Sequence, residues 1–346
     1  MTATVPDAAR AAWGWDAAVE VAALTGGLIN ATYAVRRDGA PIAVVQRLHP
    51  IFAGEVNLDL ERVTAHLAAR GLVTPRLIRT TAGDAWLVVD GQVWRALTWV
   101  DGVAHARVPS LDVAAAGGEL VGRFHRAVDG LAHRYAFARA GVHDTAAHLA
   151  RLRAAVAAAP GPAGPALAEA IELGRAILDR AAQLAPLPST PLRHCHGDLK
   201  ISNLLFTAAA PVAGVCLVDL DTLGQQTLAF ELGDAMRSWC NPHGEDAGAV
   251  GFDLGIFAAA IGGWRQVMGA RVDDAELASI VGGLETVTVE LAARFATDVF
   301  EDRYFGWDPA RFPSRRAHNL VRARGQLALA DAIAHGRAEA LAIVVG

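Results

Sequence analysis

The pattern of hydrophobic residues changes once along this chain, and the change divides it into unequal parts. Up to about residue 100 the apolar residues read as strands. Thr32–Arg37 and Pro41–Arg47 flank Asp38-Gly39, and Asp84–Val89 and Gln92–Val100 flank Asp90-Gly91. Asp-Gly between two β-rich runs signals a hairpin, because both turn residues must take positive φ. Between the two hairpins Val56, Leu60, Val63 and Leu67 recur at helical spacing, and Gly71 ends that helix. After Asp101-Gly102 helical periodicity dominates Val113–Leu131, His143–Ala159 and Pro165–Leu184. It returns from Ala229 to the C-terminus, with one long amphipathic helix expected over Asn319–Ile343. The run AAPGPAGP at Ala158–Pro165 breaks helix and predicts a surface loop. Strands gathered at one end and helices at the other predict an α+β fold of two lobes. The first is a small antiparallel sheet with one helix, residues 1–100. The second is mostly helical, residues 101–346, and the boundary falls within Leu97–Gly102.

Composition narrows the function classes. A chain of 346 residues, 53% hydrophobic and 19% charged, buries a large core without disulfides. A net charge of −5 offers no basic footprint for nucleic acid or an anionic membrane. No run reaches the roughly 18 apolar residues of a spanning helix, and the start MTATVPDAARAAWGWD has no basic segment leading into an apolar one. Three cysteines, Cys195, Cys216 and Cys240, form no C-x-x-C pair and leave one over, which favours a reducing cytoplasm. Neither Gly-Lys-[Ser/Thr] nor G-x-G-x-x-G occurs.

One block departs from the helical texture: HCHGDLKISNLLF from His194, followed by GVCLVDLD ending at Asp221. Asp198, Lys200 and Asn203 share a polar loop between apolar segments, and Asp219 ends the next apolar run. Phosphoryl transfer needs these parts: a carboxylate for the attacking hydroxyl, an amide oxygen and a second carboxylate for Mg²⁺, and a cation for the transferred group. Lys and Arg total 31, and Lys200 is the one Lys among them. A chain that otherwise writes Arg places its compact, flexible ammonium two residues from the candidate base. A capped turn would explain Asp198 and Asn203, but neither Lys200 nor the second acidic segment. Strand-end solvation is the bland account of Asp219 and Asp221.

HGDLKISN resembles the H-x-D-x-K-x-x-N catalytic loop of the protein-kinase-like superfamily. Gly197 in place of the usual Arg resembles the aminoglycoside phosphotransferase and choline kinase branch, as does VDLD at Val218–Asp221. TGGLINATYAV, AVVQRLHPIF, WRALTWVDG, ELGDAMRSWCN and HNLVRARGQL extend the likeness over roughly residues 24 to 330, nearest to bacterial sugar kinases of the N-acetylhexosamine 1-kinase type. The resemblance implies a two-lobe kinase-like fold and ATP- and Mg²⁺-dependent transfer to a hydroxyl of a small molecule. A sugar is favoured as acceptor; aminoglycosides, homoserine and choline are the runners-up.

Carried over by position, Asp198 is the implied base, Lys200 the γ-phosphate cation, and Asn203 and Asp219 the magnesium ligands. Thr25–Tyr33 is the implied phosphate loop, where Gly26 and Gly27 permit close backbone approach and Asn30 and Thr32 offer side chains. Trp99 marks the hinge facing adenine, and Glu61 is the implied carboxylate orienting a phosphate-binding cation. Asp234 and Arg237 are implied acceptor contacts, with Arg315, Arg316, His318 and Asn319 as further candidates. The third-strand lysine of kinases cannot exist here, so its position falls to Gln46 by alignment or to Arg47 by chemistry.

Two rivals come from other classes. His194, His196 and Asp198 have metal-ligand spacing on a strand, the mark of a zinc hydrolase. That pattern wants His where Leu199 stands and leaves Lys200 and Asn203 idle. Loss of the third-strand lysine is also compatible with a nucleotide-binding module that no longer catalyses.

Overall fold

The computed structural model describes residues 4–24, 29–137, 141–159 and 165–346. Among these, the N-terminal part holds α1 (Asp7–Ala12), β1 (Val19–Ala23), β2 (Ala31–Arg37), β3 (Ala40–Arg47), α2 (Val56–Ala69), β4 (Leu77–Ile78), β5 (Leu87–Val89) and β6 (Gln92–Thr98). These strands form one six-stranded antiparallel sheet, in the order β1-β2-β3-β6-β4 with β5 also on β6. Both expected hairpins turn at Asp38-Gly39 and Asp90-Gly91, where all four residues have positive φ. Helix α1 was not expected. It is one short turn-rich segment without a strong apolar stripe, and it is held by packing: Trp13 donates from Nε1 to the Ile78 carbonyl at 2.8 Å.

The register assigns the two faces of this sheet. Tyr33, Val45 and Ala96 lie opposite one another, and so do Ala31, Arg47 and Trp94. This face carries a buried cluster with Val5, Ala9 and Trp13. On the other face Thr32, Gln46 and Arg95 are opposite one another, and Val44 and Leu97 pack with Leu60, Val63 and Leu67 of α2. Alternate residues of a strand point to opposite faces, so Gln46 and Arg47 cannot serve the same site.

After residues 99–102 the chain continues through β7 (Val103–Ala104), α3 (Leu111–Val128), α4 (Thr145–Ala158), α5 (Pro165–Ala181), β8 (Arg193–Cys195), β9 (Leu204–Phe206), β10 (Gly214–Leu217) and β11 (Gly224–Gln226). It ends with α6 (Leu228–Trp239), α7 (Leu254–Met268), α8 (Asp274–Glu301), α9 (Arg315–His335) and α10 (Arg337–Val345). Strand β9 pairs with β7 and β10, and β8 with β11. Five of these helices begin on a side-chain cap: Ser110, Asp144, Asp253, Asp273 and Ser314 each accept from a backbone N–H of the first turn. The helix expected over Asn319–Ile343 is two helices that part at Gly336. The main core runs from α2 through α3, α6, α7 and α8. No helix among the described residues is long and apolar enough to cross a membrane.

Candidate active site

The loop after β8 is shaped by one glycine and one buried carboxylate. Gly197 has φ +80, and a Cβ there would lie 2.4 Å from the Thr222 carbonyl oxygen. Only glycine tolerates both the angle and the approach. Glu231 of α6 accepts the N–H of His196 at 2.8 Å and of Gly197 at 2.9 Å. His125 lies 3.2 Å from the same carboxylate. Burial alone would raise the Glu231 pKa, but His125, His196 and these backbone donors outweigh it and hold it below its ordinary value. His196 donates from Nε2 to the Val218 carbonyl at 3.0 Å, and its Nδ1 accepts the Asp198 N–H at 3.3 Å. Burial lowers its pKa, which fits a neutral ring with one donor and one acceptor.

Asp198 leaves this turn, and the single-turn helix Ile201–Asn203 brings the amide of Asn203 back to it. Asn203 donates from Nδ2 to the Asp198 carbonyl at 2.8 Å and to its Oδ2 at 3.1 Å. Lys200 Nζ is 2.9 Å from the same Oδ2. Asp198 therefore has one oxygen held and Oδ1 without a protein partner among the described residues. Burial works against the Lys200 ammonium, yet Asp198, Asp219 and Glu245 together raise its pKa.

The second acidic segment is tied to the first by the Val218 N–H, which donates to the Asn203 carbonyl at 2.9 Å. Asp219 follows in the left-handed region, φ 62 and ψ 59, a conformation that costs a non-glycine residue free energy and that clusters at functional sites. Burial first, then Asp221 and Asp198, push its pKa up to about 7 against the pull of Lys200 and Arg95. A hard dication would relieve that crowding of carboxylates, and Asp219 with the side-chain amide oxygen Oδ1 of Asn203 is an oxygen donor set suited to Mg²⁺.

The first lobe reaches this segment through Asp221. Asn30 donates from Nδ2 to Asp221 Oδ2 at 2.6 Å, and its own Oδ1 accepts the His49 N–H at 2.9 Å. Arg95 of β6 pairs with Asp221 Oδ1 and donates to Gln46 Oε1 from Nε at 2.8 Å and Nη2 at 2.7 Å. Gln46 in turn donates from Nε2 to Thr32 Oγ1 at 3.1 Å. Gln46 thus occupies the cleft face, whereas Arg47, the choice made on chemistry, lies on the opposite face beside Trp94. The role expected of Glu61 is not met in this geometry. It forms a bidentate pair with Arg79, the residue after β4, at the surface, 2.8 and 2.6 Å. Trp99 sits at the crossing between the lobes, its Nε1 donating to Asp101 Oδ1 at 2.8 Å. Gly26 and Gly27 lie outside the described residues.

On the helical side, Arg237 of α6 is buried between Asp234, 2.9 Å from Nε, and Glu245, 2.5 Å from Nη1. Burial would raise the Asp234 pKa, but Arg237, His143 and Lys200 hold it low. The Lys200 ammonium helps to hold the Asp234 carboxyl low, and Glu245 helps to raise Lys200. Four further candidates, in the first two turns of α9, engage the end of α8, the loop that follows it, and Asp246 between α6 and α7. Arg315 donates to the Phe305 and Asp302 carbonyls, Arg316 pairs with Asp302, His318 with Asp246, and Asn319 donates to Asp298.

The zinc arrangement does not assemble. His194 is engaged at both ring nitrogens, by the Tyr135 hydroxyl at 2.9 Å and the Leu131 carbonyl at 2.7 Å. Among the described residues the one cluster with metal-like spacing is His125, Cys195 and Glu231. Its carboxylate already accepts two backbone N–H groups, and Trp264 donates to the other nitrogen of His125 at 3.0 Å.

Sequence reading missed Arg95, the anchoring role of Asp221, Glu231 and Glu245. The signal for Arg95 was present: a charged residue inside the apolar strand VWRALTWV must find a partner or unfold the strand.

A strand-rich lobe, a helical lobe and a loop pair carrying Asp198, Asn203 and Asp219 define a kinase-like phosphotransferase that acts on hydroxyl groups. Residues 20–269 match the model of the phosphotransferase enzyme family, and the chain belongs to that family. Solved structures share the fold over nearly their whole length. A microcompartment-associated aminopropanol kinase is 14% identical with a TM-score of 0.63, covering 96% of this chain and 97% of that one. An aminoglycoside phosphotransferase from Alicyclobacillus acidocaldarius is 15% identical with a TM-score of 0.58, and 98% of each chain is covered. A choline/ethanolamine kinase family protein from Mesorhizobium loti is 19% identical with a TM-score of 0.55, again with 98% of each chain covered.

Proposed function

We propose that the protein moves the γ-phosphoryl group of ATP to a hydroxyl of a small sugar, an N-acetylhexosamine or related hexose, with Mg²⁺ on the nucleotide. The first lobe, residues 1–100, would hold the nucleotide and residues 101–346 the acceptor. The observation that carries this reading is the meeting of Asp198, Lys200 and Asn203 on one loop, hydrogen-bonded through Val218 to the segment of Asp219.

Asp198 Oδ1 accepts the proton of the acceptor hydroxyl while Lys200 and Asn203 fix its other oxygen. The new oxygen–phosphorus bond forms as the bond to the β-phosphate oxygen breaks, and ADP leaves. Lys200 neutralises charge on the transferred group. Asp219 and the side-chain Oδ1 of Asn203 would hold Mg²⁺, which supplies charge neutralisation on the phosphate oxygens. Alignment and fixed electrostatics provide most of the rate, since this transition state needs little covalent help.

Asp234 and Glu245 offer acceptors for sugar hydroxyls, held by the buried Arg237. The same carboxylates favour a second reading, an amino alcohol whose ammonium sits against them; the fold is shared with an aminopropanol kinase. A screen of ADP release with and without EDTA separates the two. It would compare hexoses, N-acetylhexosamines, aminoglycosides, homoserine, choline and aminopropanol. Turnover of an N-acetylhexosamine above the amines supports the sugar reading. Turnover confined to amines replaces it, and EDTA-insensitive turnover removes the metal assignment.

A further inference from the structure

We infer that Arg95 is a positioning residue for the metal–nucleotide site, acting on Asp219 through Asp221. The inference rests on the reading of Asp219 as a metal ligand. Arg95 is fully buried, yet it is not placed to bind phosphate itself. Its Nε and Nη2 are taken by Gln46, and its Nη1 by Asp221 and, at 3.4 Å, Asn57. Asp221 is likewise closed to a metal. Its side chain is 1% exposed, one oxygen pairs with Arg95 and the other accepts from Asn30 at 2.6 Å.

The pair spans the molecule's two parts. Arg95 lies on β6 of the first lobe and Asp221 lies two residues beyond Asp219 in the second. Between them stands only Leu220, which is buried in the main core. Asp219 holds a left-handed backbone conformation that needs support from its surroundings, and the clamped Asp221 side chain supplies it from one side. Gln46 and Thr32 extend the clamp across β3 and β2, and Asn30 extends it to the residue before β2. A cation on β6 therefore fixes the metal segment against the sheet.

Metal-site partners one step removed from the ligand set typically change metal affinity by about 10- to 100-fold. The test needs no acceptor. ADP affinity is measured by calorimetry with and without Mg²⁺ for wild type, Arg95→Lys, Asp221→Asn and Asp219→Asn, with thermal unfolding run alongside. Arg95→Lys keeps the charge and loses the fork. The gain in ADP affinity on adding Mg²⁺ should fall about tenfold or more in Arg95→Lys and Asp221→Asn, with metal-free ADP affinity nearly unchanged. Folded variants that keep the wild-type gain overturn the inference and leave Arg95 a purely structural residue. If either single variant does not fold, Arg95→Met with Asp221→Leu replaces the pair by apolar groups. A reduced gain then supports the inference, and a wild-type gain overturns it. Asp219→Asn separates the two layers: if it retains the Mg²⁺ gain, the ligand assignment itself fails, whatever Arg95 does.

Discussion

Both carboxylate oxygens of Glu231 meet the backbone of the loop after β8, Oε1 the N–H of His196 and Oε2 that of Gly197. One side chain on α6 thus sets the turn from which Asp198 projects. Glu231 holds a pKa below its ordinary 4.5 because His125, His196 and these donors outweigh the cost of burial. A depressed carboxylate contributes stability in full above its unfolded pKa and loses it as pH falls through the folded value. Glu231→Gln should therefore cost about 2 kcal/mol at pH 7, and the gap to wild type should shrink only below pH 4.5. Urea unfolding at pH 7 and pH 4 reads both numbers. A gap that does not change with pH would remove the electrostatic account.

Asp198 has one oxygen fixed by Lys200 and Asn203 and one without a protein partner among the described residues. Asp198→Asn keeps the shape and loses the proton acceptor. Turnover should fall by about 10²- to 10⁴-fold, while ADP·Mg²⁺ binding persists. Near wild-type turnover in the variant would show that the hydroxyl proton goes elsewhere.

The resemblance gave Glu61 a part in nucleotide binding, and the structure gives it Arg79 at the protein surface. Solvent screens such pairs, so their loss is barely felt. Glu61→Ala should leave both thermal stability and the KM for ATP close to wild type. A KM raised tenfold would restore the expected role and imply a different position for α2 in the nucleotide complex.

Local chemistry made much of this legible in the sequence. The Asp-Gly turns announced their positive φ, and helix α2 was readable from the spacing of Val56, Leu60, Val63 and Leu67. Asp198, Lys200 and Asn203 are close in space because they are close in sequence. What was not legible depends on partners far along the chain. The Arg95–Asp221 pair joins residues 126 apart, and His125–Glu231 joins residues 106 apart. The choice between Gln46 and Arg47 needed the register of β3 on β6, because one residue of slip exchanges the faces. Gly336 marked the end of α9 in sequence, yet helical spacing resumed beyond it and masked the break.

In the proposed reading the acceptor side depends on Arg237. It is buried and pairs with both Asp234 and Glu245. Removing the buried cation strands the anions that it held; because Asp234 is 22% and Glu245 37% exposed, solvent keeps the cost below the about 3–5 kcal/mol of a fully buried pair. Arg237→Met should therefore lower the melting temperature and let the Asp234 carboxyl, now without its main partner, move upward in pKa. Arg237→Lys retains charge but not the two-pronged geometry, so it should stay folded and raise the KM for the acceptor far more than that for ATP. Steady-state kinetics on the acceptor found in the ADP-release screen measures the split. Equal effects on both substrates would place Arg237 in the scaffold of α6 and move the acceptor away from Asp234.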